Sequence, residues 1–303
     1  MIEIRNLTKA FDGFTALNGL DLHVKQGSIY GMVGVNGAGK TTAIKHLAGV
    51  YRQDAGEVRI DGIPVYDNAA LKARVGYIPD ELYFFPFYTM GMQRGFLRRM
   101  YGERGKWNDE RYEKMRGLMG LDEKRRLGKF SKGMQKQAAF IFAMSAMPDV
   151  LLLDEPIDGL DPIVRKVVFE LIIEDVAQRG LTVLISSHNL KEMDGICDAV
   201  GIIKAGRMGI ERDLDDLKAD VHKIQVAFPQ ENAQKEGEAT CALVGHKFEG
   251  LDILHHEKRG GVELFVIRGV HDEVEAKIKA LNPLLYDHLP LTLEEVFVYE
   301  NLH

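Results

Sequence analysis

Cysteine is nearly missing from this chain: 303 residues carry only Cys197 and Cys241, without CxxC spacing and without nearby histidines in a ligand pattern. That excludes a disulfide-stapled scaffold or a cysteine-based zinc module and leaves two reduced core thiols of a cytosolic protein as the reading. Long hydrophobic runs are missing too. The most apolar stretch, Ala138 to Leu153, is too short to span a bilayer and is broken by Pro148-Asp149, so the chain is not expected to cross a membrane. The start Met1-Ile2-Glu3-Ile4-Arg5 lacks the basic residues and apolar core of a leader, and none is expected. No single charge dominates: a formal net charge of −6 weighs against nucleic acid as the main partner. The Asn-Lys-x-Asp element that reads guanine is absent as well. Of ten histidines, only His255-His256 are adjacent, and neighbours in a strand point to opposite faces, so a surface or turn position is expected rather than a metal site.

What is present is an ordinary globular composition, 46% hydrophobic and 28% charged, in a chain long enough for one large or two moderate domains. Charge is unevenly spread. Residues 90 to 136 hold 14 Lys and Arg against 6 Asp and Glu, whereas residues 221 to 303 hold 8 against 14. The basic segment reads either as a solvated helical surface or as a face toward an anionic membrane. Ile2–Arg5, Leu20–Val24 and Gly56–Gly62 predict an antiparallel layer. A helical insertion is expected over about 81–136, where the composition turns to arginine, methionine and short apolar repeats. Val150–Leu153, Leu181–Ile185 and Ala199–Lys204 are continuous apolar strands of a parallel sheet buried on both faces, with a helix over Val164–Arg179. A helix-like stretch, Leu214–Val221, then leads into a small α+β domain. That domain has strands at Lys223–Phe228 and Gly261–Ile267, and a helix over Asp272–Leu281 with Val274, Ile278 and Leu281 on one stripe. The boundaries expected are 1–212, a linker at 213–222, and 223–303.

Directly after the apolar run Ser28–Val33 stands Gly34-Val35-Asn36-Gly37-Ala38-Gly39-Lys40-Thr41-Thr42, a complete Gly-x-x-x-x-Gly-Lys-Thr phosphate loop. Backbone N–H groups must converge on phosphate oxygens, and side chains at the glycines would obstruct them. Lys40 supplies a point charge for the β- and γ-phosphates, Thr41 a hydroxyl for Mg²⁺, and the following helix its positive end. The set expected to hold the nucleotide is Gly34, Asn36, Gly37, Ala38, Gly39, Lys40, Thr41 and Thr42. Asp154 and Glu155 end the Val150–Leu153 run and so reach the C-terminal edge of a buried strand, where ligands of α/β sheets bind. Asp154 is expected to order the Mg²⁺ shell and Glu155 to polarise the attacking water.

With these motifs the sequence resembles the ATP-binding subunits of ABC transporters. Phe130-Ser131-Lys132-Gly133-Met134-Gln135 looks like a variant of that family's signature motif, Asp158-Gly159-Leu160-Asp161 stands where its D-loop falls, and Ser186-Ser187-His188 ends a strand as its switch histidine does. The resemblance covers residues 1 to about 210. It implies an α/β P-loop NTPase fold of the ABC type, binding ATP and Mg²⁺ in a head-to-tail dimer, where Ser131 and Gly133 of one subunit complete the site of the other. It further implies that Asp161 belongs to the nucleotide-binding set, that His188 contacts the γ-phosphate and attacking water, and that Phe11 stacks on adenine, with Phe14 near enough to compete. Partners implied are separately encoded membrane-spanning subunits and a second ATPase subunit, identical or not, at the inner face of the cell membrane, with no nucleic acid.

Two departures stand out. Gly76-Tyr77-Ile78-Pro79 leads to Asp80 where the family has glutamine, and aspartate is still able to contact Mg²⁺ or its waters. Lys132 and Met134 in the signature resemble bacterial exporter cassettes of the ABC-2 class. The run Tyr83-Phe84-Phe85-Pro86-Phe87-Tyr88 is read either as core or as the groove that receives the membrane subunit. The rival to the transporter reading is a soluble ATPase of the same type acting on the ribosome or on nucleic acid. Such translation factors usually carry two cassettes, and repair relatives carry long coiled-coil insertions. Neither is seen in this sequence.

Overall fold

The computed structural model describes all residues except 103–105, 215, 217–219, 229–249, 293, 296–298 and 300–303. The chain divides into two compact units, Met1–Glu211 and Arg212–His303.

In the first unit, β1 (Ile2–Phe11) and β2 (Phe14–Val24) form a hairpin, and β4 (Ala55–Ile60) and β5 (Ile63–Pro64) extend it into an antiparallel sheet of order β2-β1-β4-β5. The second sheet has the order β10-β9-β3-β8-β7-β6, with β3 (Ile29–Val33), β6 (Val75–Ile78), β7 (Val150–Asp154), β8 (Thr182–Ser187), β9 (Ala199–Lys204) and β10 (Arg207–Asp213). Every residue of β3, β7 and β8 is buried, as parallel strands covered on both faces require. The helix α1 (Lys40–Leu47) touches β7 of the parallel sheet and β2 and β4 of the antiparallel one. Ala43, Ile44 and Leu47 join Ile2, Leu20, Val58 and Leu152 in one core, which fixes the start of α1 against both sheets.

After α2 (Ala69–Lys72), the insertion contains α3 (Met90–Gly102), α4 (Asp109–Leu118) and the first part of α5 (Lys132–Ser145). Asn108 caps α4 and Ser131 caps α5, each side-chain oxygen accepting from a backbone N–H three residues on. Then α6 (Pro162–Arg179) follows β7, with Asp161 as its cap and Gly180 in the left-handed region closing it. Buried Asp175 on α6 pairs with Arg111 of α4 at 2.5 Å and with Arg179 at 2.7 Å, tying the insertion to the sheet-covering helix.

The second unit is an antiparallel sheet of order β12-β13-β11-β14, from β11 (Val221–Ala227), β12 (Asp252–Arg259), β13 (Val262–Arg268) and β14 (Leu285–Leu289). One helix, α7 (His271–Lys279), covers it, and Val274 and Ile278 pack on Ile224, Val226, Phe265 and Ile267. Several sequence expectations are corrected here. The helix ends at Lys279, although Leu281 still packs on the core. Val221 opens β11 rather than closing a helix, because its side chain is buried beside Arg268 of β13; residues 215 and 217–219 lie outside the described set. His255 and His256 are in a strand rather than a turn, with His256 at the surface, the other expected position: it is exposed, stacks on Phe265 and bonds Glu263 at 2.9 Å, while His255 is half-buried and stacks on Tyr299. Burial pushes the Cys197 thiol up, away from reactivity, and Cys241 lies outside the described residues.

Candidate functional site

Strand register places the site. Val33 of β3 pairs with Ser187 of β8, and Ser186 pairs with Asp154 of β7, so three parallel strands end at one edge. The phosphate loop leaves β3 there, and Asp154 and Glu155 leave β7 there. The loop is tight enough to need its glycines. A Cβ on Gly34 would lie 2.5 Å from the Ile203 carbonyl oxygen, and Gly39 has a φ of 112° with Leu17 and Ala16 pressed close. Lys40 is buried, donating from Nζ to the Gly34 carbonyl at 2.6 Å and lying 3.2 Å from Glu155 Oε1. That second contact is an ion pair without hydrogen-bond geometry, since Glu155 Oε1 has no hydrogen-bond partner. Asn36 and Gly37 are exposed, Ala38 is buried, and Thr42 is half-buried with its carbonyl bonded to His46.

Asp154 is almost wholly buried, and burial holds its carboxyl above the usual aspartate range against the opposing bonds from Ser186 and Thr41. Its Oδ1 accepts from Ser186 Oγ at 2.7 Å and from Thr41 Oγ1 at 3.2 Å. Its Oδ2 is buried without any partner. A buried carboxylate oxygen left open next to a threonine hydroxyl is an all-oxygen donor set that fits a hard divalent cation such as Mg²⁺.

Glu155 has a φ of 47°, a conformation that non-glycine residues rarely hold and that costs about 1–3 kcal/mol. Four contacts impose it. Its N–H donates to Ser186 Oγ at 3.1 Å, its carbonyl accepts from Lys136 Nζ at 2.6 Å, Lys40 faces Oε1, and His188 Nδ1 lies 3.0 Å from Oε2. The bond to Glu155 is the main cause that holds the His188 imidazole above the usual histidine range, favouring its charged form. Lys136 is the residue that sequence reading missed. It is buried on α5 and also pairs with Asp80 at 3.2 Å, so the aspartate that replaces glutamine has a cation of its own. The signal available was a lysine one turn into the signature helix; its partner was not visible.

Other candidates are placed apart. Ser131 is exposed at the start of α5, and Gly133 lies against Gly159, whose carbonyl oxygen would be 2.6 Å from a Cβ there. Among the described residues, no hydrogen bond or ion pair joins Ser131 or Gly133 to the phosphate loop of the same chain. Asp161 accepts from Ile163 and Val164 N–H groups as the α6 cap. Phe11 ends β1 opposite Phe14, is 38% exposed, and meets Tyr51 edge-on at 5.3 Å. Of the aromatic run, Tyr83, Phe85 and Phe87 are exposed by 87%, 52% and 76%, while Phe84 turns in against Phe142.

The glycine-rich loop after β3, Asp154-Glu155 after β7 and His188 after β8 meet at one edge of a two-sheet fold, and that fold is the one of ATP-hydrolysing cassettes of the ABC class. Residues 17–158 match the family described as ABC transporter. The ABC transporter ATP-binding protein YtrB of Bacillus subtilis is 30% identical over 298 residues, 98% of this chain and 97% of that one. Nod factor export ATP-binding protein I of Burkholderia lata is 30% identical over 303 residues, covering 98% and 95%. Linearmycin resistance ATP-binding protein LnrL of Bacillus subtilis is 31% identical over 220 residues, 71% of this chain and 70% of that one. Among solved structures, an ATP-binding subunit of an ABC transporter superposes with a TM-score of 0.65 at 26% identity, covering 72% of this chain and 92% of that one. A dimeric cassette in a post-hydrolysis state with ADP and Pi gives 0.63 at 22% identity over 71% of this chain and 99% of that one, a likeness of fold alone. The chain belongs to the ABC transporter ATP-binding proteins, a family of ATPases, and no helix among the described residues is long and apolar enough to cross a membrane.

Proposed function

We propose that this chain is the ATP-hydrolysing subunit of an ABC exporter. In this reading it works as a head-to-tail dimer, with itself or with a second ATPase subunit, beneath separate membrane-spanning subunits at the cytoplasmic face of the membrane. The observation that carries the reading is the meeting of Lys40, Thr41, Asp154, Glu155 and His188 at one edge of β3, β7 and β8. Residues 1–212 form the cassette and 223–303 an accessory domain.

ATP enters with its phosphates on the loop N–H groups of Gly37, Gly39 and their neighbours, and Phe11 stacks on adenine. Lys40 then exchanges Glu155 Oε1 for the γ-phosphate. That frees the Glu155 carboxylate, still held in its left-handed backbone by Lys136 and Ser186, to take a proton from water. His188, whose pairing with Glu155 favours its charged form, orients that carboxylate and stabilises negative charge gathering on the γ-phosphoryl oxygens. Thr41 and Asp154, with Asp80 beyond them, would hold Mg²⁺, which when bound neutralises β- and γ-phosphate oxygens. Ser131 and Lys132, which open α5, are exposed on the chain that carries them, as a surface that meets the opposite subunit's nucleotide must be.

Export, and docking to a membrane subunit, are supported by relatives named for Nod factor export and linearmycin resistance, and by three exposed aromatics in one short run. The Glu155→Gln variant is expected to lower turnover by about 10²–10⁴-fold and to give an ATP-dependent dimer by mass measurement. Turnover like that of the unaltered protein would overturn the role of Glu155. Purification from gently solubilised membranes is expected to bring down a multi-span protein in stoichiometric amount. Ribosomal or DNA-bound partners instead would replace the transporter reading.

A further inference from the structure

The second unit carries a cluster of side chains that the ATPase chemistry does not use. His222 on β11, His271 at the start of α7 and His288 on β14 each offer a ring nitrogen, and these three atoms lie within 4.8 Å of one another. Their ring centroids form a nearly equilateral triangle with sides of 5.1, 5.3 and 5.5 Å. The sheet register explains the meeting. Ile224 pairs with His288, so His222, two residues along β11, shares a face with it, and α7 covers that face.

We propose that His222, His271 and His288 form a binding site for a divalent transition metal of the zinc type, with three imidazole ligands and an open fourth position. Three observations carry it. His222 is buried, and its Nε2 lies 2.9 Å from the Gly269 carbonyl, which only accepts. In the neutral ring the proton therefore sits on Nε2, and Nδ1 presents its lone pair to the cluster. A backbone carbonyl fixing the far nitrogen in this way is the usual support of a metal-binding histidine. His222 Nδ1 is 3.3 Å from His288 Nε2. Two ligands at the zinc–nitrogen distance of about 2.0–2.1 Å from a tetrahedral ion are separated by roughly 3.3–3.4 Å, the same edge. Lastly, negative charge lies next to His271: it, Asp272 and Glu275 have ligand atoms within 4.8 Å of one another, and Glu275 Oε2 is 3.8 Å from His271 Nε2 while its Oε1 pairs with Lys279 at 2.6 Å. These carboxylates offset the unfavourable positive end of the helix, and Glu275 or water would fill the fourth position.

Imidazole ligands without thiolates favour zinc, cobalt, nickel or copper over Mg²⁺, which prefers oxygen. The site is thus chemically distinct from the ATP site, and the inference stands whatever the first unit does. Metal here would clamp β11, β14 and α7 together at the end of a core built from few residues, making the stability of the second unit depend on metal supply.

The test uses the untagged full chain titrated with CoCl₂ alone. One equivalent is expected to produce the visible absorption of tetrahedral cobalt, which ZnCl₂ then bleaches by displacement. His271→Gln and His288→Gln, both at exposed positions, are expected to weaken cobalt binding at least roughly tenfold while leaving ATP turnover unchanged. In the unaltered protein, ZnCl₂ is expected to raise the melting temperature of the second unit, and His288→Gln to remove that rise. Absence of a saturable cobalt spectrum, or the same uptake in both variants, would overturn the proposal and leave an imidazole hydrogen bond only.

Discussion

The two units treat buried polar groups in opposite ways. Around the ends of β3, β7 and β8, the first buries Lys40, Lys136, Asp154, Glu155, Ser186 and Ser187 side by side. In the second, His222 is the one polar side chain buried among the described residues. Burying a charge is expensive unless it is paired, so such groups persist where they hold something or are held by many partners. In the first unit they are held by one another and by neighbours such as Asp80 and Glu192, except that Asp154 Oδ2 and Glu155 Oε1 are left without a hydrogen bond, the latter facing Lys40. In the second, His222 has one bond outward to Gly269 and one nitrogen turned toward two more histidines. The lesson is that several buried or facing polar groups gathered at one place, with partners from different elements, mark where a ligand is expected, whereas a lone unpartnered atom such as the Tyr286 hydroxyl oxygen does not.

The contrast can be broken most forcefully at the second unit's core. Ile278→Ala removes a fully buried side chain from a cluster of six buried residues and is expected to cost about 2–5 kcal/mol in that unit, read by its melting transition. ATP affinity should not move; a parallel loss would show that the two regions do not divide their tasks. Lys40→Ala is expected next in size, weakening nucleotide binding by roughly 10- to 100-fold in a titration, since a charge-assisted contact is lost. Unchanged affinity would contradict the placement of Lys40 against phosphate.

A subtler comparison concerns Lys136. Lys136→Gln strands Asp80 and releases the Glu155 carbonyl, and is expected to lower turnover about tenfold with little change in nucleotide affinity. Adding Asp80→Gln should recover part of that loss, because the two groups compensate each other; strict additivity of the two effects would sink the coupling. The smallest effect is expected at Asp161. Asp161→Ala should cost about 1 kcal/mol as a lost helix cap, and Asp161→Ser should restore stability. If the serine variant is stable yet slow, Asp161 acts on nucleotide as well as on the helix; if it is stable and fast, the residue is a cap.

Much of the first unit was legible because its signals are local. The phosphate loop is nine consecutive residues after a strand, and Asp154-Glu155 follow an unbroken apolar run whose burial admits only one direction for the strand end. The second unit was less legible. Strands β12 and β14, Asp-Ile-Leu-His-His-Glu-Lys-Arg and Leu-Tyr-Asp-His-Leu, lie at the edges of their sheet and bury only Leu254 between them, so the apolar alternation that one-sided burial produces is weak. The adjacent pair His255-His256 drew notice in the sequence, whereas the trio that meets in space did not, since its members lie far apart along the chain.

By itself, then, the sequence determined that the chain carries a complete glycine-rich phosphate-loop motif after a strand and brings two carboxylates to a strand end, because those features need only neighbours within a few residues. Only tertiary structure decided which partners those groups meet. The left-handed backbone of Glu155, the Lys136 bridge to Asp80, and the three imidazoles of the second unit all arise from side chains brought together by strand register and helix packing. Contacts of that kind depend on distances across the fold, which no spacing along a chain encodes directly.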